Sequence, residues 1–134
     1  MYQDVLKRDL FTSDHDMFRD QVRRFIETEI EPYHEAWDED GIVSREVWEK
    51  AGQSGLLCPT VSEEYGGPGA DYLYSAVVVE ELGRAGASGP GFAVHSEMAA
   101  PYIMNFGSEE QKHEWLPKLV SAEAITGIAM TEPG

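Results

Sequence analysis

Apolar residues in this chain recur three and four positions apart in five separate stretches, and alternate in only one. This pattern constrains the fold more than any motif does. Spacing of three and four puts side chains on one face of a helix, whereas alternation puts them on one face of a strand. A strand needs a neighbour for its N–H and C=O groups, and no second alternating stretch supplies one. The expected fold class is all-α: a bundle of about five to six helices, followed by the first strand of a truncated β domain. The expected boundaries are residues 1–123 for the helical domain and 124–134 for the start of the β domain. On this reading the chain is the front piece of something larger, cut just after a functional turn.

Punctuation places the helices. Ser13 reads as an N-cap, with Asp14 and Asp16 in the first turn where the helix dipole favours negative charge. Phe18, Val22, Phe25, Ile26 and Ile30 form the stripe of this helix. Pro32 interrupts or kinks it, and Tyr33 and Trp37 continue the stripe as far as Asp40-Gly41. A short helix from Ser44 to about Ser54 carries Val47, Trp48 and Ala51. The following connection holds Glu63-Glu64-Tyr65-Gly66-Gly67-Pro68-Gly69, whose glycines lack the lysine and spacing of a phosphate loop. Asp71 caps a helix with Tyr74, Val78, Leu82 and Ala85 on one face. After Ser88-Gly89-Pro90-Gly91, a helix from about Phe92 to Phe106 is apolar nearly all round, which implies burial on several sides. Pro101 should kink it and Gly107 stop it. Ser108-Glu109-Glu110-Gln111 is a capping box that opens a helix bearing Trp115, Leu116, Leu119 and Val120. Ile125 to Thr131 is the terminal strand.

The formal net charge of −15 opposes binding to nucleic acid or to an anionic membrane surface. An anionic ligand must therefore find its cations elsewhere or bind by its apolar end. The acidity concentrates in residues 1–50, as a solvated helix face or a docking surface for a basic partner. No apolar run approaches the roughly 20 residues of a membrane span. Met1-Tyr2-Gln3-Asp4 does not open a signal peptide, so a cytoplasmic protein is expected. The single cysteine, Cys58, precludes an intrachain disulfide and reads as a small buried hydrophobe among Leu56, Leu57 and Pro59. None of His15, His34, His95 and His113 falls in a metal-ligand spacing. His15, His34 and His113 lie in charged stretches expected to be exposed, while His95 is either a core histidine or part of a pocket lining. By composition alone, Thr131-Glu132-Pro133-Gly134 is an ordinary strand-ending turn.

Four motifs in order carry a resemblance: Gly55-Leu56-Leu57 with Glu63 to Gly69, Glu80-Glu81-Leu82-Gly83, Phe106 to Lys112, and Ile128 to Gly134. Together they resemble the flavin-dependent acyl-CoA dehydrogenases over nearly the whole chain, and Ser88-Gly89-Pro90-Gly91-Phe92 looks most like the long-chain branch. The resemblance implies an N-terminal helical domain, a middle β domain and a C-terminal helical domain, the last carrying the catalytic glutamate. It implies FAD as cofactor, with Ile128, Met130 and Thr131 along the flavin ring. It makes the Phe92–Phe106 helix one wall of the acyl pocket through His95, Ser96 and Ala99. It implies acyl-CoA as substrate, electron-transferring flavoprotein as partner, and a homo-oligomeric full-length enzyme. No catalytic residue is expected here, so the fragment alone is expected to be inactive. A flavin oxidase or monooxygenase of the same fold, or a free-standing helical binding module, are the competing readings.

Overall fold

The structure, a computed structural model, describes residues 8–134. The reading of Met1 to Asp4 lies outside them. The first helix, α1 (Ser13–Phe25), runs through a π turn, Ile26–Ile30, into α2 (Glu31–Asp40). Pro32 accounts for the wide turn. Proline donates no N–H, and its ring clashes with the carbonyl four residues back. Widening the turn ahead of it relieves both problems without ending the helix. The same solution recurs before Pro101, where a π turn, Val94–Ala99, leads into the helix Ala100–Phe106.

The extra residue of the first π turn rotates the register of α2. Tyr33 therefore leaves the apolar stripe that the spacing assigned it and is exposed, while Trp37 packs half-buried on the core. The N-cap is Thr12 rather than Ser13, because Thr12 pairs with His15 in a reciprocal cap.

The other helices are α3 (Arg45–Gln53), α4 (Tyr72–Ala85), α5 (Ala100–Phe106) and α6 (Glu109–Val120). Two expected caps form. The Asp71 carboxylate accepts from the Leu73 N–H at 2.9 Å. Ser108 N–H donates to Gln111 Oε1 at 2.9 Å, and Ser108 Oγ accepts from Gln111 N–H at 3.2 Å.

Helix α1 lies along α4. Val22, Phe25 and Ile26 meet Val77, Val78 and Leu82 there, and Trp48 and Phe92 extend this core. A second core joins the connection after α3 to α5 and α6: Cys58, Val61 and Tyr65 pack with Ala100, Leu116 and Leu119. Gly67 is fixed by packing in that connection, since a Cβ there would come 2.1 Å from the Val61 carbonyl oxygen. Residues 121–134 correct one expectation. No strand forms among the described residues, because a strand exists only through a ladder partner and the chain offers this segment none. The fold is all-α.

Candidate functional site

The helix over residues 92–106 has two unlike sides. One side buries His95, Ser96 and Ala100. The other exposes Val94, Met98, Tyr102 and Phe106, spaced four residues apart, with Phe106 81% accessible. This inverts the usual arrangement, in which polar side chains face water and apolar ones face the core. Between this helix and α6 lies an open groove of about 430 Å³, lined chiefly by Tyr102, Ile103, Phe106, Trp115, Leu119 and Thr126. Tyr102 is the single ionisable side chain in its lining. Such a lining is apolar, with no carboxylate, imidazole, amine or thiol.

The side chains singled out from sequence fall into distinct places. His95 is fully buried. Its Nε2–H donates to the Leu119 carbonyl at 2.9 Å, and its Nδ1 accepts from the Thr126 N–H at 3.2 Å and from the Thr126 hydroxyl at 2.9 Å. The tautomer follows from these partners. Trp48 meets the ring edge-on, with centroids 5.3 Å apart. Burial pushes the His95 pKa below its ordinary value, and the Leu119 carbonyl opposes this only in part. Ser96 is buried too, and its hydroxyl accepts from the Cys58 N–H at 2.9 Å. Of the three residues assigned to the helix wall, only Ala99 is half-buried. Ile128, Met130 and Thr131 stand exposed on the segment that leaves α6. The Cys58 thiol is buried and pushed up to about 12 by that burial, so it is an inert apolar group at neutral pH.

Two features escaped the sequence. His15, expected to be exposed, is buried at the start of α1: its Nδ1 accepts from the Thr12 N–H at 3.0 Å and its Nε2–H donates to Asp71 at 3.1 Å. Capping needs draw it inward, and its partner at the start of α4 is distant in sequence. The second is a charge cluster in the α1–α4 seam. Glu81, only 2% exposed, accepts from Arg19, Arg23 and Arg84. Burial pushes its carboxyl up, but the bonds from Arg23, Arg84 and Arg19 outweigh that and hold it at about 2.

His34 is half-buried and accepts from the Gly89 N–H, whereas His113 is exposed. Glu64, Glu109 and His113 bring ligand atoms within 4.8 Å of one another at the surface. The Tyr65 hydroxyl and the Lys112 ammonium already take both Glu109 oxygens, at 2.7 and 2.9 Å. Among the described residues no helix is long and apolar enough to cross a membrane.

A sequence profile described as "Acyl-CoA dehydrogenase, N-terminal domain" matches residues 12–123. The chain is 47% identical over 131 residues to a rat (Rattus norvegicus) protein named long-chain specific acyl-CoA dehydrogenase, mitochondrial, covering 98% of this chain and 30% of that protein. The crystal structure of an acyl-CoA dehydrogenase from Geobacillus kaustophilus superposes with a TM-score of 0.90 at 46% identity, over 95% of this chain and 33% of that one. A glutaryl-CoA dehydrogenase from Mycobacterium smegmatis, solved in complex with FADH2, superposes with a TM-score of 0.79 at 29% identity, over 87% of this chain and 30% of that one. The chain thus spans about a third of the length of the relatives it matches.

Proposed function

Because this chain belongs to the acyl-CoA dehydrogenase family, matching its N-terminal domain, we propose that it is the N-terminal portion of an FAD-dependent acyl-CoA dehydrogenase. The full-length enzyme removes an α-proton from an acyl-CoA thioester and a hydride from its β-carbon. The proton acceptor lies outside these residues, so this portion is inactive alone. The observation that carries the reading is the contiguous apolar face of Val94, Met98, Tyr102 and Phe106, with the groove beside it. Burying a long acyl chain against such a face contributes roughly 0.8 kcal/mol per CH₂. The acidic charge of −15 agrees with contact through the apolar tail rather than the CoA phosphates.

The outgoing segment suits a flavin edge. Among the described residues, the N–H groups of residues 127–131 take no backbone partner, and Thr131 is an exposed residue. Ile128, Met130 and Thr131 would lie along the ring, where donors stabilise the negative charge of the reduced form. FAD supplies the two-electron acceptor when bound. Within this proposal Ala99 belongs to the pocket wall, while His95 and Ser96 support that wall from behind. Residues 1–123 then form the helical domain and 124–134 open the β domain. Electron-transferring flavoprotein as partner, a homo-oligomeric parent and a cytoplasmic setting belong to the same reading.

The test uses the full-length protein. It is expected to purify with visible flavin absorbance that bleaches on anaerobic addition of a long-chain acyl-CoA. A colourless protein, or a flavin that no acyl-CoA bleaches, contradicts the proposal. Ala99→Leu is expected to shift activity toward shorter chains, and an unchanged chain-length profile removes Ala99 from the wall.

A further inference from the structure

We propose that His95 is a positioning residue: as a neutral imidazole with its proton on Nε2, it ties the end of α6 and Thr126 to the 92–106 helix, and so sets the course of residues 126–131. The anchoring stands on geometry alone, and what the anchored segment then meets rests on the proposed function.

Four contacts converge on the chain as it leaves α6. The Leu119 carbonyl belongs to the last turn, where helix acceptors lack the regular intrahelical donors. It accepts from the Ala122 N–H at 3.3 Å and, more closely, from His95 Nε2–H at 2.9 Å. The chain then reverses through Ala122, held at φ +62°, a conformation rare for a residue with a side chain. The Arg45 guanidinium of α3 secures this turn by donating to the Ala122 and Glu123 carbonyls. Gly52 of α3 allows the close approach, since a Cβ there would come 2.9 Å from the Ser121 backbone. Finally the Thr126 N–H and hydroxyl both turn back to His95 Nδ1. One ring therefore grips the chain before and after the turn, while α3 grips the turn itself.

Only one form of the ring can make all of these bonds. Nδ1 must be unprotonated to accept from an N–H, and Nε2 must carry its proton to donate to a carbonyl. Protonating Nδ1 sets a donor against the Thr126 N–H and breaks that bond, so the second hold is reduced to the Thr126 hydroxyl turned to accept. The neighbours that face the ring are Trp48 from α3, the Leu119 carbonyl from α6, and Thr126. None of these carries a charge, and no charged side chain contributes to the ring's lowered pKa. The unfolded chain binds a proton at His95 near pH 6.5, which the folded chain takes up only at lower pH. Stability and anchoring are therefore complete above that pH and decline as the pH falls below it.

The test is hydrogen exchange on the full-length protein, with His95→Phe, which keeps ring volume and loses both bonds, and His95→Gln, which retains a donor and an acceptor. Loss of both buried bonds is expected to speed exchange at Thr126 by about 100-fold in His95→Phe, with Val22 and Ile26 in α1 unaltered. His95→Gln is expected to recover part of the protection. Exchange at Thr126, corrected for its intrinsic rate, should accelerate below pH 6.5 in the wild type and lose that dependence in His95→Phe. If His95→Phe fails to fold, the wild type carries the test, and exchange at Thr126 that does not accelerate below pH 6.5 overturns the proposal. So does loosening of α1 to the same extent as Thr126, because the ring is then only filler. FAD binding to the apoprotein, read by fluorescence, separates the two readings. A Thr126 effect with no FAD binding in the wild type leaves the anchor standing and sinks the flavin assignment.

Discussion

Between α1 and α4 the molecule buries charge, whereas across α5 and α6 it exposes hydrocarbon. Removing a carboxylate from water is unfavourable, and it is tolerated at Glu81 because Arg19, Arg23 and Arg84 each bond to it within the chain. All of the compensation in that seam comes from residues of this domain. Along the other region, Val94, Met98, Tyr102, Phe106 and Trp115 face outward with no such partners. A single exposed apolar side chain means little, but a row at four-residue steps beside a groove marks a surface made to be covered. The difference separates what the domain satisfies within itself from what it leaves open at its surface.

The largest way to break this contrast is Glu81→Ala. Removing one side of a buried charge cluster leaves guanidinium groups without their acceptor, and a loss of about 3–5 kcal/mol is expected in urea unfolding. A loss under about 1 kcal/mol would show that the seam resembles a surface ion pair instead.

The next effect is in pH. With the Glu81 carboxyl held at about 2, its contribution is present above the ordinary carboxylate value and is lost as pH falls through the window down to about 2. An acid titration of stability should therefore fall in that window, and Glu81→Gln should flatten it. An unchanged titration would move the acid-sensitive group elsewhere.

The smallest effect belongs to the open face. Phe106→Ser should change the stability of the chain by no more than about 0.5 kcal/mol, since the side chain packs little within it. It should nonetheless reduce self-association of the 134-residue chain in sedimentation, because the apolar row is what makes copies adhere. A large stability loss would place Phe106 in the core and erase the contrast.

What the sequence made legible was local. The caps at Asp71 and Ser108 involve residues two or three positions apart, and both formed as the motifs indicate. Pro32 and Pro101 announced disturbances, but not that the helix would absorb each as a widened turn. The consequence, an exposed Tyr33, comes from a register shift that periodicity cannot show. His15 and His95 have partners 56 and 31 residues away, so nothing near either in sequence identifies its role. The orientation of the 92–106 helix was hidden for a related reason. When most positions are apolar, composition does not say which side faces out, and two of the polar residues, His95 and Ser96, turned inward to bond backbone groups. The family resemblance implied a pocket at this helix; the fold showed which of its faces is open.

Methionine oxidation tests the central claim most directly, because three methionines sample the two regions. Met17 on α1 is 65% exposed, Met98 on the open face 52%, and Met130 on the outgoing segment 82%. Dilute peroxide and mass spectrometry would compare the 134-residue chain with the full-length protein. If the open face and the outgoing segment are covered by the rest of an acyl-CoA dehydrogenase, Met98 and Met130 oxidise far more slowly in the full-length protein while Met17 does not change. Equal rates at Met98 and Met130 in both proteins would contradict the account, since that face would then be a free surface and not a wall.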